Sequence, residues 1–417
     1  MNKLPNGWQI KTLGDIFLIE RGSSPRPIKS FLTNDNNGIN WIKIGDAKNN
    51  SKYIYQSAEK IRPEGKKYSR FVEIGDLILS NSMSFGRPYI MKTIGCIHDG
   101  WVVLRKILKN IIYEEYAYYI LSSNQVHSEF SKLAAGSVVK NLSIDRIKQV
   151  YIPIPPLDEQ KRIASALSKI DAYLENTIKL IGEKERFKRG IAKKLLTCKE
   201  GENIPEARFK GFEDEWEIVK LGDICLINNK ILKENTDKDY KFKYIDLTAV
   251  KKGIINFSND YTTFENAPIS ARRIINKNDI IMATVRPYLL GHAFIDFEAK
   301  DYICSKGFAV LTANSNIEMK YIYQYLYSDD MAKQIKSRLV GSTYPTIRLS
   351  DIKELKIKIP KSIKEQEKIG GYLSLLDEEI DNLKKQKELI KEMKRGAMQK
   401  LLSGEVRLSK NAFNENI

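Results

Sequence analysis

Cysteine and histidine are both scarce, at four (Cys96, Cys198, Cys225, Cys304) and three (His98, His127, His292) in 417 residues. No two cysteines form a Cys-x-x-Cys pair, so neither a zinc site nor a disulfide framework is indicated, and a reducing compartment fits. The histidines share no ligand spacing and read as core or surface residues rather than metal ligands or bases. Long apolar runs are missing too. The N-terminus, MNKLPNGWQIKTLGDI, carries no hydrophobic leader core, and no segment reaches the length of a membrane span. The expectation is a soluble cytoplasmic protein with no membrane partner.

The familiar signatures of covalent chemistry are missing as well. There is no Gly-x-x-x-x-Gly-Lys-Ser/Thr phosphate loop and no strand–Gly-x-Gly-x-x-Gly–helix fingerprint. The Asp/Asn-Pro-Pro-Tyr/Phe run of an amino-methyltransferase is not matched, since Ile154-Pro155-Pro156-Leu157 has only the prolines. Glu159-Gln160-Lys161 contains a Glu-x-Lys fragment of a nuclease metal site, but carboxylates belong at helix starts and that is how it reads here. No catalytic, cofactor or metal residue is assigned to this chain.

What is present is positive charge and repetition. The formal net charge is +17, with 42% hydrophobic and 29% charged residues. That composition is of an ordinary folded protein, long enough for two or three domains. Such a balance points to a polyanionic partner, because each neutralised phosphate releases counterions. A lysine-favouring coding bias is the competing explanation.

The chain also says one thing twice. Trp8 and Leu13-Gly14-Asp15-Ile16 return as Trp216 and Leu221-Gly222-Asp223-Ile224. Glu159-Gln160 returns as Glu365-Gln366. Lys188-Arg189-Gly190 with Lys194-Leu195-Leu196 returns as Lys394-Arg395-Gly396 with Lys400-Leu401-Leu402. A repeat of about 206 residues is a domain, not a solenoid unit.

Each copy has a mixed part and then a helix. Strands are expected at Ile39–Ala47, Asp76–Asn81, Arg87–Lys92, Ile97–Arg105 and Gln149–Ile154. In the second copy they fall at Phe242–Val250, Asp279–Val285, Tyr288–Ile295, Gly307–Leu311 and Leu355–Ile359. Short helices are expected at Tyr113–Ser123, Val126–Ala135, Ile317–Tyr327 and Asp330–Val340. Between shared punctuation the residues differ greatly, as expected of two readers of different texts.

The long helices give the sharpest pattern. Ile163, Leu167, Ile170, Leu174, Thr177, Ile181, Ile191 and Leu195 keep a spacing near 3.5. So do Ile369, Leu373, Leu376, Ile380, Leu383, Ile390 and Leu401, with lysines diluting both C-terminal halves. That period predicts a coiled-coil seam in which the two helices pack on each other. Each helix of about 36 residues would span about 54 Å. Ser362-Ile363-Lys364-Glu365 has the form of a capping box. Because the chain ends where the Trp–Leu-Gly-Asp-Ile segment would begin again, the C-terminus is expected beside the N-terminal copy.

Two pairs of loops carry binding chemistry. The first pair is Asn81, Ser82, Ser84, Arg87 and Tyr89, with the counterpart Thr284, Arg286 and Tyr288. Arg forks to guanine or phosphate, Asn and Ser bond base edges, and Tyr stacks. Arg-Pro-Tyr reads equally as a turn with an aromatic core anchor. The second pair is Ser137, Lys140 and Asn141, with Ser342, Thr343 and Tyr344, small polar loops suited to close approach or to plain connection. Lys43, Lys48, Lys251, Lys252, Arg272 and Arg273 are candidate phosphate contacts.

Taken together, Trp…Leu-Gly-Asp-Ile openings, Pro155-Pro156-Leu157-Asp158-Glu159-Gln160-Lys161-Arg162-Ile163 and the Lys-Arg-Gly…Lys-Leu-Leu helix ends resemble the specificity subunit of type I restriction–modification enzymes. The resemblance covers essentially the whole chain. The second copy, Ile359-Pro360-Lys361-Ser362-Ile363-Lys364-Glu365-Gln366, departs by an extra residue and lacks the second proline. The resemblance implies an α+β fold. Two similar α/β target recognition domains (1–155 and 201–360) would be separated by a long antiparallel two-helix coiled coil (156–200 and 361–405), in a pseudo-two-fold arrangement with a tail at 406–417. It implies that each domain reads half of a split duplex DNA sequence, half-sites lying about one helical turn apart, roughly 34–36 Å. It implies two methyltransferase subunits as partners, binding S-adenosylmethionine and flipping the target adenine. It further implies restriction translocase–nuclease subunits, with ATP and Mg also held on partners. Two other readings stay open from the residues alone: an enzyme carrying its own methylase or nuclease, and a non-specific DNA-binding coiled-coil adaptor.

Overall fold

The computed structural model describes residues 4–48, 51–81, 86–108, 110–134, 143–199, 201–314 and 316–408. The architecture is α+β, and the chain forms two compact units. Residues 1–177 with 386–417 make the first, and 178–385 make the second. Two long helices, Leu157–Leu196 and Ile363–Ser403, each contribute one end to each unit.

In the first unit one sheet orders Phe17–Arg21, Trp101–Lys106, Leu77–Ser80, Pro88–Met91 and Tyr53–Ile54. A second orders Leu32–Thr33, Glu59–Ile61, Ile39–Ile42, Gly95–Ile97 and Arg70–Val72. Trp101-Val102-Val103-Leu104 is buried on both faces, which explains an apolar run without alternation. Leu79, Val102 and Leu104 face one core cluster, whereas Ile78, Trp101 and Val103 face another. The second unit repeats the plan with four-stranded sheets. Cys225–Ile227, Phe308–Ala313, Ile280–Ala283 and Ala293–Phe294 form one, and Thr262–Thr263, Lys241–Ile245, Tyr302–Ser305 and Ala271–Ile274 the other.

The repeated Leu-Gly-Asp-Ile has a packing reason. In each unit it forms one helical turn whose Leu and Ile are buried. The turn lies against the short helix Ile144–Lys148 or Leu349–Lys353. A Cβ on Gly14 would stand 3.1 Å from Lys148, and one on Gly222 2.9 Å from Lys353, so a larger residue would push the turn and the short helix apart.

Several expected strands are revised. Ile39–Ala47 is a strand only to Ile42, then a 3₁₀ turn Ile44–Asp46. Ile97–Arg105 is interrupted at His98-Asp99-Gly100, where Trp101 N–H bonds the His98 carbonyl at 3.0 Å to make a turn. Phe242–Val250 is likewise split by a 3₁₀ turn, Leu247–Ala249, capped by Asp246. The segment Tyr288–Ile295 is mostly turn, with a strand only at Ala293–Phe294. Among the described residues no helix is long and apolar enough to cross a membrane.

Candidate nucleic-acid interface

The second unit brings the two loops named from sequence into one surface. Thr284 N–H and Oγ1–H both donate to the Gly307 carbonyl at 2.8 Å, anchoring the first loop. Ile347 N–H then donates to the Thr284 carbonyl at 2.9 Å, and Val285 bridges Thr346. The Arg286 N–H donates to the Pro345 carbonyl at 2.7 Å, and its Nη2 to the Thr343 carbonyl at 3.1 Å. The guanidinium carbon lies 4.4 Å from the centre of the Tyr344 ring, a cation–π distance. Arg286 therefore knits the loops together rather than reaching outward, and its Nε is buried without a hydrogen-bond partner. What the surface offers is Tyr288 (51% exposed), Tyr344 (64%), and the exposed Ser342 and Thr343.

The backbone of this loop is strained. Arg286 and Leu290 adopt φ of 48° and 57°, in the left-handed region that costs a bulky residue free energy. Lys252 N–H holds the Leu290 carbonyl at 3.0 Å, and Gly253 N–H holds that of His292, also at 3.0 Å. The hairpin Val250–Lys251/Ile254–Ile255 thus braces the C-terminal end of the turn. Beneath it, the buried His292 accepts the Ala283 N–H through Nδ1 at 3.2 Å. Burial lowers its pKa to about 4, so the ring is neutral at pH 7.

The first unit treats its Arg-Pro-Tyr differently. Pro88 and Tyr89 lie inside a strand, paired with Leu79 and Ile78. Tyr89 is 3% exposed and meets Trp101 edge-on at 5.6 Å. Here the tyrosine is a core anchor and presents no ring to a ligand. In the second unit the residues paired across from Ile281 and Ile280 are Ala293 and Phe294, so Arg286-Pro287-Tyr288 falls within the turn. The two tripeptides match in sequence but occupy different positions in the fold. Asn81 is also buried (2%), with its N–H on the Gly100 carbonyl. Arg87 is half-buried and lies 5.8 Å from the Tyr89 ring centre. Ser82, Ser84, Ser137, Lys140 and Asn141 lie outside the described residues.

The proposed phosphate contacts divide. Lys48, Lys251 and Lys252 are exposed. Lys43 is half-exposed and paired with Glu59. Arg272 covers the Phe264 ring at 4.5 Å. Arg273 is partly withdrawn: its Nε is buried without a partner, and burial lowers its pKa.

A constellation that sequence reasoning passed over is the pair of Trp–Glu–Arg clamps. Glu159 is 2% exposed and accepts from Trp8 Nε1 at 3.1 Å and from Arg407 Nε and Nη2 at 3.0 and 2.6 Å. Burial pushes the Glu159 carboxyl up, but the bonds from Arg407 and Trp8 outweigh it and hold it below the usual range. In the second unit Glu365, 1% exposed, accepts from Trp216 Nε1 at 3.4 Å and from Arg208 Nε and Nη2 at 2.8 Å each. Each following glutamine closes a loop. Gln160 Nε2 donates to the Pro155 carbonyl and Oε1 accepts from Tyr113 N–H; Gln366 does the same with Pro360 and Glu318. The Glu-x-Lys glutamate is therefore fully engaged. Likewise Glu365 serves Arg208 and Trp216 rather than a capping box. The signal available was Glu206-Ala207-Arg208-Phe209 against Glu405-Val406-Arg407-Leu408 after each helix. Arg407 Nη1 also reaches the Asn6 carbonyl at 3.1 Å, so the C-terminal segment lies beside the N-terminal one within the first unit.

The seam residues are all buried or half-buried. Ile163, Leu167 and Leu401 join the first unit's core, with Ile170 packed against it. Leu195, Ile369, Leu373 and Leu376 join the second unit's core, with Ile191 packed against it. Ile181, Ile380 and Ile390 are buried, and Leu174 and Leu383 are half-buried. Within the first unit Lys394 pairs with Asp171 at 2.5 Å and Arg162 Nε donates to the Leu408 carbonyl at 3.1 Å. Within the second, Lys184 pairs with Glu379 at 2.7 Å and Lys188 with Asp377. In both units the helices run antiparallel.

The pattern of the type I restriction modification DNA specificity domain matches the chain twice, at residues 5–181 and 213–392. The MjaVIII type I restriction enzyme specificity subunit of Methanocaldococcus jannaschii is 24% identical over 435 residues, 99% of this chain and 96% of that protein. A putative type I specificity subunit of Mycoplasma genitalium is 26% identical over 375 residues, 84% of this chain and 91% of its own length. Among solved structures, the S subunit of a type I restriction–modification system from M. genitalium shares the fold with a TM-score of 0.59. Its identity is 20%, covering 96% of this chain and 98% of that one.

Proposed function

The chain belongs to the type I restriction–modification DNA specificity family, and from that premise we propose that it reads a two-part duplex target without performing covalent chemistry. Residues 1–155 act as one recognition domain and 201–360 as the other, each taking one half-site. The helices at 156–200 and 361–405 serve as the spacer that sets the unread gap, and 406–417 is the tail. The observation that carries this reading is a common frame with dissimilar loops. The Trp–Glu–Arg clamp is the same in both units, yet Tyr89 is 3% and Tyr288 51% exposed. A shared scaffold under different surface chemistry suits two readers of different sequences.

In the second unit Ser342, Thr343, Tyr344, Tyr288 and the exposed Lys251 and Lys252 provide contacts, with Arg286 positioning the loops. Phosphate contacts from the basic surface supply affinity, and the loops supply selectivity. Exposed apolar side chains on the helices of the second unit, Phe187 (52%) and Leu375 (63%), offer docking to a partner. Two methyltransferase subunits would bind there and at the first unit's helix ends, with S-adenosylmethionine on those subunits. Restriction subunits would bring ATP and Mg. Such a complex acts in the cytoplasm.

The test is an exchange of residues 1–155 for the equivalent part of a relative, followed by methylation-sensitive sequencing of the host genome. One half-site should change while the other and the gap persist. Retention of the complete original motif would refute the assignment.

A further inference from the structure

The turn that carries Tyr288 exposes a second large side chain, Leu289, that takes no part in the loop contacts described above. Leu289 is 60% exposed and follows Tyr288, 51% exposed, so two large side chains stand exposed next to each other in one turn. The backbone that presents them is fixed at several points. Leu289 N–H bonds the Arg286 carbonyl at 2.9 Å and Leu290 N–H the Pro287 carbonyl at 3.0 Å. Pro287 is buried beneath them, and the flanking Arg286 and Leu290 carry left-handed backbone. The loop at 340–346 bonds the chain before the turn, at Val285 and Arg286, and the hairpin at 250–255 bonds the chain after it, at Leu290 and His292. Strain retained in a braced, outward apolar point indicates a use for that point.

The surroundings specify what it meets. The helix Asp329–Ser337 packs against this turn and carries Lys333 and Lys336, with Asp329 and Asp330 at its start, and the chain after it adds Arg338 and Arg348 before the next carboxylate, Asp351. The turn from Thr284 to Ile295 contributes Arg286, with no carboxylate, and the bracing hairpin contributes Lys251 and Lys252. An exposed apolar point on a backbone held by two neighbouring segments, in stretches where cations outnumber carboxylates, complements a polyanion with an apolar interior, which is a base-stacked duplex. Proteins that insert Leu, Ile or Phe between base steps use this combination of charges around a wedge.

We propose that Leu289, backed by Tyr288, is a wedge that enters the base stack of the half-site bound by the second unit and opens one base step. This rests on the DNA-reading function proposed above. Unstacking costs a few kcal/mol, and pyrimidine–purine steps (TA, CA/TG) open at least cost. The half-site read by the second unit accordingly contains such a step, selected through its deformability rather than through its base edges. Arg286 is a positioning residue for the wedge.

The experiment uses the full chain assembled with its methyltransferase subunits, on duplexes carrying the motif found by methylation-sensitive sequencing. 2-Aminopurine replaces in turn each adenine, on either strand, of the half-site assigned to the second unit, the methylated adenine excepted. The wild-type complex should raise fluorescence several-fold at a pyrimidine–purine step other than the methylated adenine. Leu289→Ala should abolish that rise while retaining binding to within about tenfold, and Leu289→Met should restore it. Thermal melting of the variants checks folding, which an exposed position should not disturb. A motif lacking any pyrimidine–purine step there, or fluorescence indifferent to Leu289→Ala, overturns the wedge while leaving DNA reading intact. Failure of the wild-type complex to prefer its motif over random DNA at fixed salt would overturn both.

Discussion

Arg407 grips Glu159 across 248 positions of sequence, with Nε and Nη2 at 3.0 and 2.6 Å from the two carboxylate oxygens. Arg208 makes the same two-pronged bond to Glu365, 157 positions away. The two arginines follow different helices, yet each completes the clamp on a tryptophan at the start of a sequence repeat. The segment after the second long helix thus does for the first unit what the segment after the first long helix does for the second.

Breaking a clamp strands a buried carboxylate. Arg208→Ala leaves Glu365, 1% exposed, without its countercharge and should destabilise the second unit by about 3 kcal/mol. Arg407→Ala should destabilise the first unit by less, because the Arg407 side chain is 45% exposed against 14% for Arg208. Hydrogen exchange resolved by segment, comparing residues 8–16 with 216–224, should show each loss confined to its own unit. Equal protection in all three proteins would contradict the clamp's structural role.

The bond between the two recognition loops predicts non-additivity. Arg286→Ala and Tyr344→Ala each remove the same cation–π contact, so their combined effect on binding to the cognate duplex should fall short of the sum by about 0.5–1 kcal/mol. Both variants should relax selection in one half-site only. Strict additivity in a double-mutant cycle would indicate that the loops act separately.

His292 sets a pH dependence in the second unit. Its folded pKa, lowered by burial to about 4, lies under the ordinary 6.5. The unfolded chain therefore takes up a proton first as pH falls. Stability is complete above about 6.5, declines by roughly 1.4 kcal/mol per pH unit below it, and levels off under about 4. His292→Gln removes this contribution. Denaturant unfolding at pH 7, 6 and 5 should give a flatter profile for the variant, and parallel profiles would rule the effect out.

Helix length should set the gap. Removing two matched heptads from each long helix, about 21 Å per helix, should change the number of unread bases between half-sites or abolish methylation. A genome methylated at the original spacing by the shortened protein would exclude a spacer role.

The long helices were readable because helix periodicity is local. Apolar residues at Ile163, Leu167, Ile170 and Leu174 mark a face whatever lies elsewhere, and the helix runs from Leu157 to Leu196. Strands were less readable. Gln9–Thr12, with only half-buried and exposed residues, has no apolar alternation to mark it, and becomes a strand by pairing with Tyr151–Ile154. The loop pair was half readable. Both segments stood out by composition, but the bond from Arg286 to Thr343 joins residues 57 positions apart.

Sequence alone determined that the unit occurs twice, that each copy closes with a long helix, and that the motifs of nucleotide and methyl-transfer chemistry are missing. Those are statements about period, repetition and residue type, which survive without knowing any neighbour. Tertiary structure alone decided that Tyr89 is core and Tyr288 surface, and that Glu159 belongs to Arg407 and Trp8. Strand register fixes the first, since pairing Tyr89 with Ile78 turns its ring inward while Tyr288 falls in a turn. Chain closure fixes the second, because a buried carboxylate takes whichever cation the fold delivers, and no local pattern names it in advance.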